Sequence, residues 1–202
     1  MKTYEFETKS LDEASAVAAE EMRVGKQYID IEVLDKSGLI SKTYKVRATV
    51  NVDPAEIGYN ALKDMFETMG VEAQIEMRRK SDTEISYRIN TDENPLLIGR
   101  NGKTLESIQY YIRNLISVFT DERFIVLVDI GGYKANRKRQ LEILATKTAK
   151  SVARSKIEAK LEPMNAYERR IIHTKLSDWR DVTTISEGEG KERHLVIKPK
   201  RK

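Results

Sequence analysis

Hydrophobic and polar positions recur with two different periods along the chain, and their order predicts an α+β protein of three small domains. In residues 1–53, a two-residue period predicts a first strand. A helical period follows, which begins at the capping-box pair Ser10 and Glu13 and ends at Gly25. Two more strands are predicted, with a turn at 36–38 between them. The first domain is therefore predicted to be a strand–helix–strand–strand module, and it carries no recognisable catalytic group.

The second predicted domain, residues 54–131, has the order helix, strand, strand, short helix, glycine loop, helix, strand. Asp53 and the proline after it predict the start of the first helix, because proline is tolerated best in the first turn. A hydrophobic stripe that ends at Met69 predicts the buried side of this helix. The polar segment 78–82 is predicted as the turn between the two strands.

The third predicted domain, residues 132–202, begins with a long basic helix over about 135–160. Its predicted buried side includes Leu144. A second helix over about 166–176 and a β-hairpin complete the domain.

Charge is distributed unevenly among these domains. Residues 1–53 have a net charge of −2, residues 54–131 of −4 and residues 132–202 of +10. Such asymmetry favours a polyanionic partner for the last domain, because neutralising phosphates releases their condensed counterions. The alternative is a solvated helix face followed by a basic tail at residues 198–202.

Composition narrows the chemistry further. The chain has no cysteine, which excludes a disulfide framework, a thiolate zinc site and a cysteine nucleophile. No metal or other cofactor is predicted. The N-terminus does not resemble a signal peptide, and the longest apolar stretch, 124–130, is too short to span a membrane. We therefore expect a soluble, cytoplasmic protein.

A glycine loop is the strongest motif, because two glycines flank an arginine and an asparagine directly before a helix. Glycine lets the backbone approach a phosphodiester closely, and the amide end of the next helix favours an anion. A nucleotide-hydrolysing phosphate loop needs two more residues between its glycines, and a plain structural turn remains the other alternative. The predicted contact residues are Ile98, Gly99, Arg100, Asn101, Gly102 and Lys103.

An arginine and a histidine four residues apart form the second motif. At that spacing both side chains project from one face of the predicted second helix of the last domain. An arginine can hold a phosphate with two hydrogen bonds, and a histidine can stack on a base. The alternatives are a solvated histidine and a hydrolase base, but no nucleophile or orienting acid accompanies it. The predicted nucleic-acid contacts are Arg169, Arg170 and His173.

These motifs resemble two known domains. The element order of residues 54–131 and the I-G-x-x-G motif at 98–102 resemble a type II KH domain, whose loop holds about four unpaired nucleotides. Arg169 and His173 occupy the signature positions of the R-three-H domain, whose members are associated with single-stranded nucleic acid.

With the N-terminal module, the whole chain resembles the bacterial Jag family. The resemblance implies a cytoplasmic RNA-binding protein that influences sporulation, cell shape, cell elongation and envelope synthesis. It also implies a small single-KH-domain protein as a partner, and peripheral contact with a membrane-protein insertase, a chaperone-like association. Regulatory phosphorylation is known on a long linker in some members, and this chain has no such linker.

The sequence therefore predicts a non-enzymatic protein that binds single-stranded RNA at both motifs, with single-stranded DNA as an open alternative. A protein-interaction adaptor is the competing function, because an acidic KH domain attracts RNA weakly. Salt dependence separates the two functions, since binding to RNA weakens steeply with ionic strength.

Overall fold

The computed structural model describes residues 2–37 and 43–200. It divides into two compact units, Met1–Gly131 and Gly132–Lys202. The described residues form three three-stranded sheets and six α-helices, so the fold is mixed α+β as predicted.

The first sheet of the first unit is antiparallel, with the strand order β1-β3-β2. Its helix packs on the sheet through a core that includes Ala18, Met22 and Ala48. The elements are β1 (Thr3–Thr8), α1 (Leu11–Met22), β2 (Ile29–Ser37) and β3 (Thr43–Val50). This is the predicted order.

Helix α1 begins and ends differently from the prediction. The Ser10 side chain makes no capping hydrogen bond, and the Thr8 hydroxyl accepts the Ser10 N–H at 3.2 Å instead. The helix ends at Met22 rather than Gly25, because Arg23 adopts a left-handed conformation with φ 57°. The predicted turn at 36–38 is also wrong where it is described, since β2 continues to Ser37, and Gly38 lies outside the described residues.

The second sheet carries the glycine loop. Its order is β4-β5-β6, with β4 antiparallel to β5 and β5 parallel to β6. Parallel neighbours require a crossover, and the crossover here consists of two helices joined by the loop. The elements are α2 (Pro54–Thr68), β4 (Gln74–Ser81), β5 (Glu84–Asn90), α3 (Asn94–Ile98), α4 (Lys103–Phe119) and β6 (Ile125–Ile130).

Two details of this half differ from the sequence prediction. The segment predicted as a turn belongs mostly to β4, which runs to Ser81 and leaves only Asp82 and Thr83 between the strands. Met69 is 48% exposed rather than buried, because α2 has ended at Thr68. The predicted helix start is correct, since the Asp53 carboxylate accepts the Ala55 N–H at 2.7 Å.

Tyr87 on β5 fixes α2 over the sheet. Its buried hydroxyl donates to the Ala55 carbonyl at 2.9 Å. Burial raises the pKa of Tyr87 above its ordinary value, and the nearby Asp53 carboxylate raises it further. A Cβ at Gly58 would lie only 2.1 Å from this hydroxyl, so the close approach of helix and tyrosine requires glycine.

The end of α4 also contacts the first half of this unit. Phe119, at the end of α4, packs against the core of the first sheet and meets the Tyr28 ring edge-on at 5.3 Å between centroids. The Lys2 ammonium donates to the carbonyls of Met22 and Val118, at 2.6 and 3.0 Å. The end of α4 is therefore held against the first half of the unit by a ring contact and by the hydrogen bonds of Lys2.

The second unit packs two helices against a sheet of order β7-β9-β8. Its core includes Leu141, Ala145, Ile172, Leu195 and Ile197. The elements are α5 (Tyr133–Ser155), β7 (Ala159–Lys160), α6 (Ala166–Leu176), β8 (Val182–Glu187) and β9 (His194–Pro199). The predicted hairpin is formed by β8 and β9, which pair antiparallel.

Helix α5 is shorter than predicted. It ends at Ser155, because Lys156 turns left-handed with φ 61° and Ala159 and Lys160 pair with β9. Leu144 is 40% exposed, so its predicted place in the core is wrong. The last two residues of the predicted basic tail, 201 and 202, lie outside the described residues.

Candidate nucleic-acid interface

The glycine loop turns the chain sharply between α3 and α4. Gly99 has φ 68° and ψ −179°, a conformation available essentially to glycine alone. Asn101 and Gly102 are both left-handed, with φ 55° and 77°. Asparagine is among the few side chains that tolerate this region. The sequence of the loop therefore matches its backbone residue by residue.

Gly99 is also required by contact. A Cβ at this position would lie 2.1 Å from the Thr104 Oγ1 and 3.1 Å from the Thr104 backbone nitrogen. The loop therefore packs directly against the first turn of α4, and no larger residue fits there without displacing that turn.

The loop presents positive charge beside a helix amino end. Arg100 and Lys103 are exposed, and neither has an ion-pair partner among the described residues. Gly102 precedes α4 and supplies no side-chain cap, so the first amides of this 17-residue helix have no acceptor from the capping side chain. Two exposed cations and these amides together suit an anion such as a phosphate.

The other predicted loop residues are less accessible. Ile98 and Asn101 are half-buried, and Gly102 is buried. The structure therefore brings all six predicted residues into one turn, with Arg100 and Lys103 as its exposed members.

The arginine–histidine pair lies on α6 of the second unit, and its members have different environments. The half-buried Arg169 donates from Nη1 to the Met164 carbonyl at 2.6 Å. This bond ties the guanidinium to the segment before the helix. Arg170 is exposed and has no ion-pair partner among the described residues. One nitrogen of the Arg169 guanidinium is thus hydrogen-bonded within the protein, and Arg170 is the more accessible cation.

His173 contacts the hairpin. Its Nδ1 lies 2.5 Å from the Thr184 hydroxyl on β8, and the ring is exposed. The hydroxyl fixes the ring orientation, while Nε2 has no hydrogen-bond partner among the described residues. Nε2 is therefore the histidine atom that can meet an external ligand.

A buried ion pair lies at the start of α6, and no motif in the sequence predicted it. Glu168 accepts the Arg137 Nε at 2.7 Å, and the carboxylate side chain is only 7% exposed. Arg137 lies on α5 and Glu168 in the first turn of α6, so the pair joins the two helices. The signal available in the sequence was an acid at a helical position that shares the buried side with Ile172.

Three further observations concern metal sites, the histidine and membrane-spanning helices in the part of the chain that is described. No group of three or more histidine, aspartate or glutamate side chains there is arranged to hold a metal ion. The His173 ring is oriented by a hydroxyl rather than by a carboxylate. Among the described residues, no helix has both the length and the apolar character of a membrane span.

Comparison with known proteins identifies the second unit first. Residues 139–199 match the R-three-H domain. This range includes most of α5 and all of the α6 helix and hairpin that carry Arg169 and His173.

Whole-chain relatives extend the match. The RNA-binding protein KhpB of Clostridium symbiosum is 32% identical over 199 residues, which cover 96% of this chain and 90% of that protein. The protein of the same name from Bacillus subtilis is 30% identical over 201 residues and covers 96% of both chains. The RNA-binding protein KhpB of Lactiplantibacillus plantarum is 32% identical over 112 residues, which cover 55% of this chain and 35% of that protein. The chain therefore belongs to the family of the RNA-binding protein KhpB, which is the Jag family that the sequence resembles.

Proposed function

We propose that this protein binds single-stranded RNA through two places, the glycine loop of a KH domain and the exposed face of an R-three-H domain. The observation that carries the proposal is the Gly99–Gly102 turn, which places the exposed Arg100 and Lys103 beside the amino end of α4, where no side chain caps the helix. Two relatives that match nearly the whole chain are named RNA-binding proteins, which supports the proposal.

The domain division follows from this proposal. Residues 1–53 form the N-terminal module, residues 54–131 the KH domain and residues 132–202 the R-three-H domain. The order of α2, β4, β5, α3, α4 and β6, with β5 parallel to β6, supports the KH assignment.

In the KH domain, Arg100 and Lys103 neutralise phosphates while the loop backbone orients the strand. In the R-three-H domain, Arg170 and the Nε2 of His173 contact the RNA, and Arg169 holds the start of α6 in place through Met164. Two contacts on one chain raise the effective concentration of the second once the first has formed. Neither contact needs a cofactor or a catalytic step, so we propose a non-enzymatic protein.

The biological role we propose is post-transcriptional regulation in the cytoplasm, linked to cell elongation and envelope synthesis. This part of the proposal rests on the resemblance to the Jag family.

The test of the loop uses Gly102→Asp. Aspartate puts a Cβ and a negative charge where the phosphodiester approaches, so we expect the affinity for an unstructured RNA of about 16 nucleotides to fall about tenfold or more. Gly70→Asp controls for the left-handed backbone, because Gly70 has a similar φ of 69° and lies in the same unit, and circular dichroism verifies that the variant at the buried position 102 is folded. Fluorescence anisotropy measures both affinities.

The result that contradicts the loop assignment is equal RNA affinity of the two aspartate variants. For the R-three-H face, we expect Arg170→Gln with His173→Ala to weaken binding about tenfold. Unchanged binding by this pair would remove the second contact from the proposal. A DNA oligonucleotide of the same sequence shows whether the 2′-hydroxyl contributes.

A protein-interaction adaptor is the second candidate function, and one observation favours it. An apolar groove of about 530 Å³ lies between α2 and α4, and its lining includes Met65, Met69, Tyr111 and Leu115. We propose the small single-KH-domain protein as its occupant, and the insertase association as a consequence of such contacts. Met69→Asp should then abolish binding of that partner and leave the affinity for RNA unchanged. Unchanged partner binding together with weaker RNA binding would reject the adaptor function.

A further inference from the structure

A basic groove lies on the second unit, along α5 and beside α6. It is open and encloses about 430 Å³. Its charged lining residues are Arg139, Glu142, Lys147, Lys150 and Lys175. The predicted contact residues of the R-three-H face are not among the lining residues.

Helical spacing places the groove cations in a row. Arg139, Ile143, Lys147 and Lys150 follow one another at intervals of four, four and three residues, so they lie on one face of α5. The row extends over about 16 Å of helix axis, given the rise of 1.5 Å per residue. This length accommodates a few successive phosphates of an extended strand.

These cations are not used inside the protein. None of Arg139, Lys147, Lys150 and Lys175 has an ion-pair partner among the described residues. Other cations of this unit behave differently, since Arg137 pairs with Glu168 at 2.7 Å and Lys198 with Glu187 at 2.7 Å. That second contact holds the pKa of the Glu187 carboxyl below its usual value. Glu142 is the one acid in the groove, so the lining keeps a surplus of positive charge.

An apolar side chain lies among the cations. Ile143 is 62% exposed and lies between Arg139 and Lys147 on the same face of α5. Such a side chain can contact the sugar or the face of a base while the neighbouring lysines hold the backbone. The groove therefore combines positive charge with an exposed apolar contact surface.

The groove is separate from the R-three-H face described above. Lys175 follows His173 by two residues, so it projects from nearly the opposite side of α6. His173 and Arg169 contact β8 and the segment before the helix. The two edges of α6 thus carry different groups of side chains.

We propose that this groove is a further binding site for the phosphate backbone of single-stranded RNA, in addition to the R-three-H face. The inference rests on the proposed RNA-binding function and adds a site to it. Lys147, Lys150, Arg139 and Lys175 neutralise successive phosphates, and Ile143 covers an adjoining sugar or base. RNA held on both edges of α6 contacts more of the second unit than the arginine–histidine pair alone provides.

The test compares two pairs of substitutions in the full chain. Lys147→Gln with Lys150→Gln removes two groove charges, and glutamine preserves helix propensity. Lys191→Gln with Arg193→Gln removes two exposed charges from the hairpin connection of the same unit. The probe is an unstructured RNA of about 16 nucleotides, titrated between about 50 and 200 mM salt.

The groove pair should weaken RNA binding about tenfold and reduce the slope of log affinity against log salt by about 1.4, which is about 0.7 for each phosphate that is no longer neutralised. The control pair should change affinity less than about twofold. Acetylation of Lys147, Lys150 and Lys175 in the unchanged protein should also slow when the RNA is added.

Equal effects of the two pairs, or unchanged acetylation with bound RNA, would overturn the groove site while leaving the proposed function intact, provided that Gly102→Asp still weakens binding. A failure of the unchanged protein to bind RNA would overturn both proposals. If the groove pair instead loses binding only to vesicles of phosphatidylglycerol and phosphatidylcholine, the groove serves an anionic membrane surface and the inference is wrong.

Discussion

The buried ion pair between α5 and α6 makes a quantitative prediction about the second unit. Arg137→Met keeps much of the apolar stem of arginine but removes the guanidinium from Glu168. The carboxylate then remains in a buried position without its cation. Breaking a fully buried pair in this way typically costs about 3 to 5 kcal/mol.

The structure places this case at the lower end of that range. The Glu168 side chain is 7% exposed, but Arg137 is 23% exposed, so water reaches part of the pair. We therefore expect the free energy of unfolding of the second unit to fall by about 3 kcal/mol. Replacing both residues, as Arg137→Met with Glu168→Leu, should cost about 2 kcal/mol less than the single change, because no charge is left buried.

The assay is urea unfolding followed by the fluorescence of Trp179, the single tryptophan of the chain. Trp179 packs against the core of the second unit, so it reports on that unit alone. The control is Lys138→Met, an exposed neighbour without an ion-pair partner among the described residues, for which we expect a change within about 0.5 kcal/mol. Similar unfolding free energies for the variants at 137 and 138 would refute the structural role of the pair.

Three further predictions concern single side chains. Gly99→Ala should destabilise α4 by about 3 kcal/mol, because alanine adds backbone strain and collides with Thr104. The control Gly70→Ala should cost about 1 kcal/mol, because it adds strain alone. Amide hydrogen exchange of α4 measures the difference, and equal protection of α4 in the two variants would contradict the prediction. Burial raises the pKa of Tyr87, so its protonated form is favoured on folding; the resulting stabilisation is complete below about pH 10 and declines as the pH rises above it. Urea unfolding followed by circular dichroism should show this alkaline decline reduced in Tyr87→Phe, and an unchanged decline would reject the assignment. Thr184→Val removes the hydroxyl that contacts His173, so it should lower the free energy of unfolding of the second unit by about 0.5 kcal/mol. Urea unfolding followed by tryptophan fluorescence measures this change, and an unchanged free energy would contradict the prediction.

The order of elements could be predicted because hydrophobic period is a local property. Each strand and helix buries one face, and the sequence shows that face directly. The glycine loop was predictable for a similar reason, since the left-handed residues at 99, 101 and 102 are glycine or asparagine. The sequence therefore predicted the order of the elements and a sharp turn between the two glycines.

Tertiary contacts decided the features that were missed. Helix α5 stops at Ser155 because Ala159 and Lys160 pair with a strand more than thirty residues later. The same limit applies to Glu168, whose partner Arg137 is 31 residues earlier in the chain. The engagement of Arg169 with Met164 also depends on how the chain enters α6. No local pattern contains these pairings.

The edge strand β4 was predicted, but its length was underestimated for a different reason. Its outer half, Arg78 to Ser81, is exposed and polar, so it shows no hydrophobic alternation. Charged side chains are frequent on edge strands, where they prevent pairing with other chains. Polar composition at such a position therefore indicated a turn although the backbone remains paired with β5.

The most direct measurement of the central claim is the affinity of the unchanged protein for single-stranded RNA as a function of salt. The proposed contacts are phosphates bound by Arg100 and Lys103 in the first unit and by cations of the second. Counting Arg100, Lys103, Arg170 and the four groove cations, seven such contacts predict a slope of about −4.9 for log affinity against log salt, at about 0.7 per phosphate on a single strand. RNA binding that is absent, or that does not change between about 50 and 200 mM salt, would contradict the account.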